Sequence, residues 1–226
     1  MQNISERLKL IASFVKKGAC VCDVGTDHAY LAVHLSKANI AKRIIATDIK
    51  EKPLNNARKN VLQSKAENIE LRLCDGLSAV KQNEADTVII AGMGGEVISG
   101  IIDRCEWVKE KDINLILQPM TSPEILREYL VKNGFSIEKE TALFENGKIY
   151  SVILATFEGN IREYDSSFYY IGKLDIKDEF SRMYAEKQLN RCRQCAIALK
   201  DVEQEQAQYL YYKNIVESLE EKLSGS

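Results

Sequence analysis

Short apolar runs alternate with amphipathic segments along the first two thirds of this chain. The opening segment carries Leu8, Ile11, Ala12 and Val15 on one helical stripe, with Asn3 as N-cap and Glu6 three residues on, and it ends near Lys16-Lys17-Gly18. Apolar runs at 19–24, 43–47, 69–73, 85–91 and 113–117 then predict strands, separated by helices at 29–38, 53–64, 96–103 and 123–133. Pro53 suits a first helical turn, and Gly18 and Gly134 suit helix ends. Alternation of this kind implies a doubly wound parallel sheet.

After Gly134 the pattern changes. Residues 135–144 and 150–157 read as a hairpin around Glu145-Asn146-Gly147-Lys148, with an Asn-Gly turn. A parallel sheet finishing in an antiparallel hairpin resembles the arrangement of class I methyltransferases, a Rossmann-like α/β fold. Residues 1–158 are therefore expected to form one domain and 159–226 a linker followed by a helical, coiled-coil-like extension. In that tail Leu189, Cys192, Ala196 and Leu199, and again Ile215, Leu219 and Leu223, recur at steps of three and four. No glycine or proline marks a turn near 200–203, so a helical hairpin and one long helix both remain open.

Composition narrows the function class. The 226 residues are 45% hydrophobic with a formal net charge of −2, which suits a packed core and gives no global signature of a nucleic-acid binder. There is no basic-then-apolar leader and no run near the roughly 18 apolar residues that span a bilayer, so a cytoplasmic protein without membrane contact is expected. In that compartment Cys20, Cys22 and Cys74 read as buried free thiols, and Cys192 and Cys195 as helix packing rather than a metal or redox pair.

Candidate chemistry sits where strands end, since ligands of open α/β sheets bind outside the carboxyl ends of the strands. Asp23-Val24-Gly25-Thr26-Asp27-His28-Ala29-Tyr30 follows the first strand and places the amides of Gly25 and its neighbours at a helix N-terminus. Asp27 and Ala29 stand where a dinucleotide-binding loop would repeat glycine. A carboxylate there repels a pyrophosphate but meets an ammonium group, which favours S-adenosylmethionine over NAD. Asp48 ends the second strand, where an acidic side chain accepts from ribose hydroxyls, and Asp75 ends the third, where it can accept from an adenine amine. Taken singly, each aspartate is equally a helix cap or turn residue. Ala91-Gly92-Met93-Gly94-Gly95 lets a flat base approach the backbone after the fourth strand. The Asn/Asp-Pro-Pro-aromatic motif of exocyclic-amine methylation is absent there.

These motifs, together with Ala46-Thr47-Asp48-Ile49, Asp75-Gly76-Leu77, Leu117-Gln118-Pro119, the N-terminal helix with Arg7 and the tail, resemble those of bacterial tRNA (adenine-22-N1)-methyltransferases over nearly the whole chain. Ala32 stands where that family usually has a proline. The resemblance implies methyl transfer from S-adenosylmethionine to a ring nitrogen of a tRNA adenine, by a monomer with no metal. It assigns Asp23, Gly25, Thr26, Asp27, Asp48, Ile49, Asp75, Gly76, Leu77, Ala91 and Gly92 to the cofactor. Asp27, His28, Gly92 and Met93 fall to the reacting base, His28 being equally a packing residue. Arg7, Lys16, Lys17, Arg182, Lys187, Arg191 and Arg193 are the candidate phosphate contacts, against the alternative of solvated helix surface. A small-molecule methyltransferase would share the cofactor site without needing the tail. A noncatalytic RNA-binding protein would leave the aspartates at successive strand ends unexplained.

Overall fold

The computed structural model describes residues 4–110 and 112–225. Seven strands form one sheet: β1 (Ala19–Val24), β2 (Ala41–Asp48), β3 (Ile69–Leu73), β4 (Thr87–Gly94), β5 (Asn114–Thr121), β6 (Phe135–Glu145) and β7 (Lys148–Phe157). Their order is β3-β2-β1-β4-β5-β7-β6, parallel up to β5 and antiparallel from β7. Strand order reverses between β1 and β4, and a ligand crevice opens at such a switch point.

Helices cover both faces, so the central strands are apolar on both sides rather than alternating. On one face Cys22, Val24, Ile45, Ile90, Leu115 and Leu117 pack beneath Ile98 and Ile102 of α4 (Gly95–Asp103) and Leu126 and Leu130 of α5 (Pro123–Lys132). On the other, Val21, Ile44, Ala46, Ile89 and Ile116 pack with α1 (Glu6–Ser13), α2 (Tyr30–Lys37) and Ala57 of α3 (Glu51–Ser64). The expected N-cap Asn3 lies outside the described residues; the cap of α1 is Ser5, whose hydroxyl accepts from the Leu8 amide at 3.3 Å. Helix α3 begins two residues earlier than expected, which makes Pro53 its third residue, still within the turn whose amides have no intrahelical acceptor.

The tail folds back on itself. After the short α6 (Phe168–Ile171), α7 (Glu179–Leu199) and α8 (Gln206–Ser224) form a hairpin around Leu189, Cys192, Ile215 and Leu219. Its turn needs no glycine or proline because the Gln206 amide donates to the carbonyls of Lys200 and Val202, at 3.2 and 3.1 Å. Arg127 on α5 joins this tail to the sheet. Its fully buried guanidinium pairs with buried Glu140 of β6 and donates to the carbonyls of Tyr169 and Tyr170 at 2.9 and 3.0 Å, and to the Tyr184 hydroxyl at 3.2 Å. Among the described residues no helix is long and apolar enough to cross a membrane.

Candidate functional site

The sheet brings most of the expected positions to one edge. Asp23 is the penultimate residue of β1, Asp48 the last of β2, Asp75 lies just past β3, and Ala91, Gly92 and Met93 are near the carboxyl end of β4. Two clefts meet at Gly25. One, of about 220 Å³, is lined by Asp48, Ile49, Asp75, Gly76, Met93 and Val97. The other, of about 320 Å³, is lined by Arg7, Asp23, Thr26, Asp27, His28 and Gly92. Gly25 holds them together with φ +76°, and a Cβ there would stand 2.2 Å from the Met93 methyl.

The loop after β1 differs from its expected form. The amides of Gly25 and Thr26 are taken up within the fold: both donate to the Thr47 carbonyl, at 2.8 and 3.0 Å. The loop folds against β2, and α2 starts only at Tyr30, after Asp27 and Ala29 adopt positive φ of 30° and 55°. The Asp23 carboxylate is 5% exposed and accepts from the Thr26 hydroxyl at 2.7 Å. Burial pushes it up to about 6, the hydroxyl opposing. Asp27 stays exposed at the rim, 3.5 Å from His28 Nε2, and the His28 ring stacks on Tyr30 with centroids 5.2 Å apart.

At β2, one Asp48 oxygen accepts from the Lys50 amide at 2.8 Å. Beside it, Ile49 and Val97 line the smaller cleft with 62% and 54% of their surface in solvent. Asp75 is exposed, with Arg104 at 3.5 Å. Leu77 departs from the expected set: its side chain is buried in the core with Val80, Ile98 and Ile101, because the chain turns inward after Gly76.

The glycine segment after the fourth strand is not a free loop. β4 remains paired with β5 through Gly94, with register shifts on either side of Met93, and α4 starts at Gly95. Gly95 has no room for a side chain, as a Cβ would lie 2.1 Å from the Ser122 carbonyl oxygen. Fully buried Gln118 fixes this segment. Its Oε1 accepts from the Gly92 amide at 3.2 Å and from Arg7 Nη1 at 2.7 Å, and its Nε2 donates to the Pro119 carbonyl at 2.9 Å. Arg7 is anchored in turn by Glu145, 3.7 Å away, and lies over the Tyr150 ring. Sequence reasoning gave Gln118 no role of its own; it stood out only within the Leu117-Gln118-Pro119 motif, as a glutamine ending an otherwise apolar run.

The basic candidates do not gather into one patch. Lys16 and Lys17 precede β1 and so sit at the opposite end of the sheet, about 20 Å from the crevice by strand rise. Arg191 pairs with Glu124, Arg193 with Glu220 at 2.7 Å, and Arg182 with Glu186 at 3.5 Å. Lys187 is exposed and pairs with no acidic side chain among the described residues.

Comparison with known proteins fits this geometry. Residues 4–153 match a family model described as a methyltransferase domain. A tRNA (adenine(22)-N(1))-methyltransferase of Bacillus subtilis is 35% identical over 163 residues, covering 72% of this chain and 68% of that protein. The crystal structure of the B. subtilis M1A22 tRNA methyltransferase TrmK superposes with a TM-score of 0.87 at 28% identity, over 99% of this chain and 100% of that one. Streptococcus pneumoniae Sp1610, a putative tRNA (m1A22) methyltransferase solved in complex with S-adenosyl-L-methionine, gives 0.79 at 32% identity, over 95% and 100% of the two chains. A domain match over most of the chain and relatives alike in both sequence and shape agree with the crevice at the strand ends: this chain belongs to the tRNA (adenine-22-N1)-methyltransferase family.

Proposed function

We propose that this protein transfers a methyl group from S-adenosylmethionine to N1 of the adenine at position 22 of tRNA, in the D-arm, acting as a cytoplasmic monomer. The observation that carries the reading is the pair of clefts that meet at Gly25, one lined by Asp23 and Gly92 and the other by Asp48 and Asp75, in a chain of this family. The residues fit the cofactor. Ile49 and Val97, exposed apolar side chains in a cleft flanked by two carboxylates, suit the faces of an adenine ring. Asp48 is placed to accept from ribose hydroxyls, and Asp23 with Asp27 to meet the ammonium of the methionine portion. When bound, S-adenosylmethionine supplies an electrophilic methyl group on a sulfonium.

The chain's own part is positioning. Adenine N1 carries a lone pair and no proton, so no strong base is required and orientation dominates. Gly92, held by Gln118, and Met93 border the space beside the donor, while Asp27 and His28 at the rim ease the positive charge that develops on the base. Lys187, exposed and without an acidic partner among the described residues, suits a phosphate best, with Arg7 near the mouth of the crevice. Lys16, Lys17 and the paired Arg182, Arg191 and Arg193 contribute less. Transfer of a labelled methyl group to unmodified bacterial tRNA tests the reaction.

Two outcomes are expected at the cofactor site. Asp48→Ala should weaken S-adenosylmethionine binding by about 1–3 kcal/mol in titration calorimetry, the scale of losing charge-assisted hydrogen bonds; unchanged affinity would remove Asp48 from the site. Asp23 should make binding pH-dependent. Its folded pKa is raised from 3.8 to about 6, so the stability it contributes is full below the lower value and is lost as pH rises through about 6, ~3 kcal/mol in all. The ammonium needs the ionised form, so cofactor affinity should fall up to about tenfold per pH unit below 6. Asp23→Asn should raise Tm above pH 6 and flatten that profile. A wild-type affinity that is level from pH 5 to 8 contradicts the assignment.

A further inference from the structure

A cavity of about 540 Å³ lies beside the crevice, between the segment that ends β5 and helix α7, within the roughly 300–1,000 Å³ common for small-ligand sites. Its lining includes Met120, Glu124, Tyr150, Lys187 and Gln188. Gln188 is 4% exposed, yet its Oε1 has no hydrogen-bond partner among the described residues, and Glu124 Oε2 is likewise buried and unpartnered. Glu124 uses its other oxygen on Arg191. Two orphaned acceptors on residues that line one cavity are costly in the free protein, so such groups call for an explanation. Met120, 41% exposed, adds an apolar surface and Tyr150 an aromatic one.

We infer that this cavity receives the extruded target adenine, with Gln188 as the residue that reads it; the inference rests on the tRNA methyltransferase reading above and specifies its substrate subsite. A primary amide pairs bidentately with the adenine amino group and N7, its oxygen accepting from N6–H and its nitrogen donating to N7. That edge shares only the amino group with the Watson–Crick edge, so N1 itself makes none of the reading contacts and keeps its lone pair for the methyl group. The amino group has a second N–H, for which Glu124 Oε2 is a matching acceptor. Register places the cavity next to the glycine segment, since Met93 pairs with Pro119 and Gly94 with Thr121 at the ends of β4 and β5. Lys187, one residue before Gln188 and without an acidic partner among the described residues, supplies a cation for a phosphate flanking the extruded nucleotide.

The test is a chemical cycle on the full-length protein. Gln188→Leu should lower kcat/KM for tRNA methylation roughly 5- to 150-fold, the discrimination of one bidentate amide–adenine pair. S-adenosylmethionine affinity should not change, and Tm should hold or rise because a buried orphan acceptor is gone. A residue of purely structural value would lose stability instead. A tRNA with 7-deazaadenosine at the methylated position keeps N1 and the amine but lacks N7. Wild type should use it several-fold less well than adenosine, and Gln188→Leu should treat the two alike. Equal discrimination by both proteins, or full activity of Gln188→Leu, overturns the inference while leaving the methyltransferase reading intact. A wild-type protein that methylates no tRNA adenine defeats that reading and this one with it.

Discussion

Arg127→Met is expected to destabilise the fold by about 3–5 kcal/mol, the largest stability effect of any single substitution considered. The guanidinium and the Glu140 carboxylate are both fully buried, so removing one strands the other as an uncompensated charge. The carbonyls of Tyr169 and Tyr170 and the Tyr184 hydroxyl lose their donor in the same step. Those groups belong to the tail, so the substitution also loosens the helical hairpin from the sheet. Gly172 shows how tightly the pair is enclosed: it has φ +60°, and a Cβ there would lie 1.9 Å from Glu140 Oε2. Urea unfolding reads the cost as a lower midpoint. The double variant Arg127→Met with Glu140→Leu should recover part of it, because replacing a whole buried pair by apolar side chains is often near neutral. A single variant as stable as wild type would show that the pair is not a structural tie.

Gln118→Leu is expected to lower kcat for tRNA methylation by about two orders of magnitude while the protein still folds. The substitution leaves the Gly92 amide and the Arg7 guanidinium without their shared acceptor and frees the Pro119 carbonyl of its donor. Gly92, at φ +79°, is then no longer pinned beside the reacting atoms, and a misplacement near 1 Å costs about 10²-fold in a reaction that depends on orientation. Gln118→Glu keeps the acceptor for Arg7 and Gly92 but cannot donate to Pro119 unless protonated, so its loss should be smaller. Single-turnover kinetics with saturating cofactor separate this effect from binding. Equal loss in both variants would mean that the bond from Nε2 to the Pro119 carbonyl, which both lack, and not the shared acceptor, matters at this position.

The alternation of apolar runs and helical stripes was enough to read the doubly wound sheet and its closing hairpin, because parallel strands buried on both faces leave continuous apolar runs. Asp23, Asp48 and Asp75 stood out because each follows such a run, and the structure brings all three to one crevice. The local hydrogen bonds were not legible. Nothing in Gly25-Thr26 announces that their amides bond the Thr47 carbonyl, and the glycines after Ala91 look like a loose turn until Gln118 and β5 are seen to hold them. Arg127 was hidden for the opposite reason: an arginine in a helix reads as solvated unless its partner, Glu140 on β6, is known to face it. Periodicity located Leu189, Cys192, Ile215 and Leu219 but could not choose between a hairpin and one helix, since the turn is held by Gln206. Charge runs told least, because Arg182, Arg191 and Arg193 have acidic neighbours that spacing alone does not reveal.

The most direct test of the central claim is incubation of the protein with S-adenosylmethionine and unmodified bacterial tRNA, followed by nucleoside mass spectrometry and primer-extension mapping. The account predicts new 1-methyladenosine with a reverse-transcription stop at position 22 of the D-arm. Cofactor binding without methylated tRNA, or methylation at another atom or position, would contradict it.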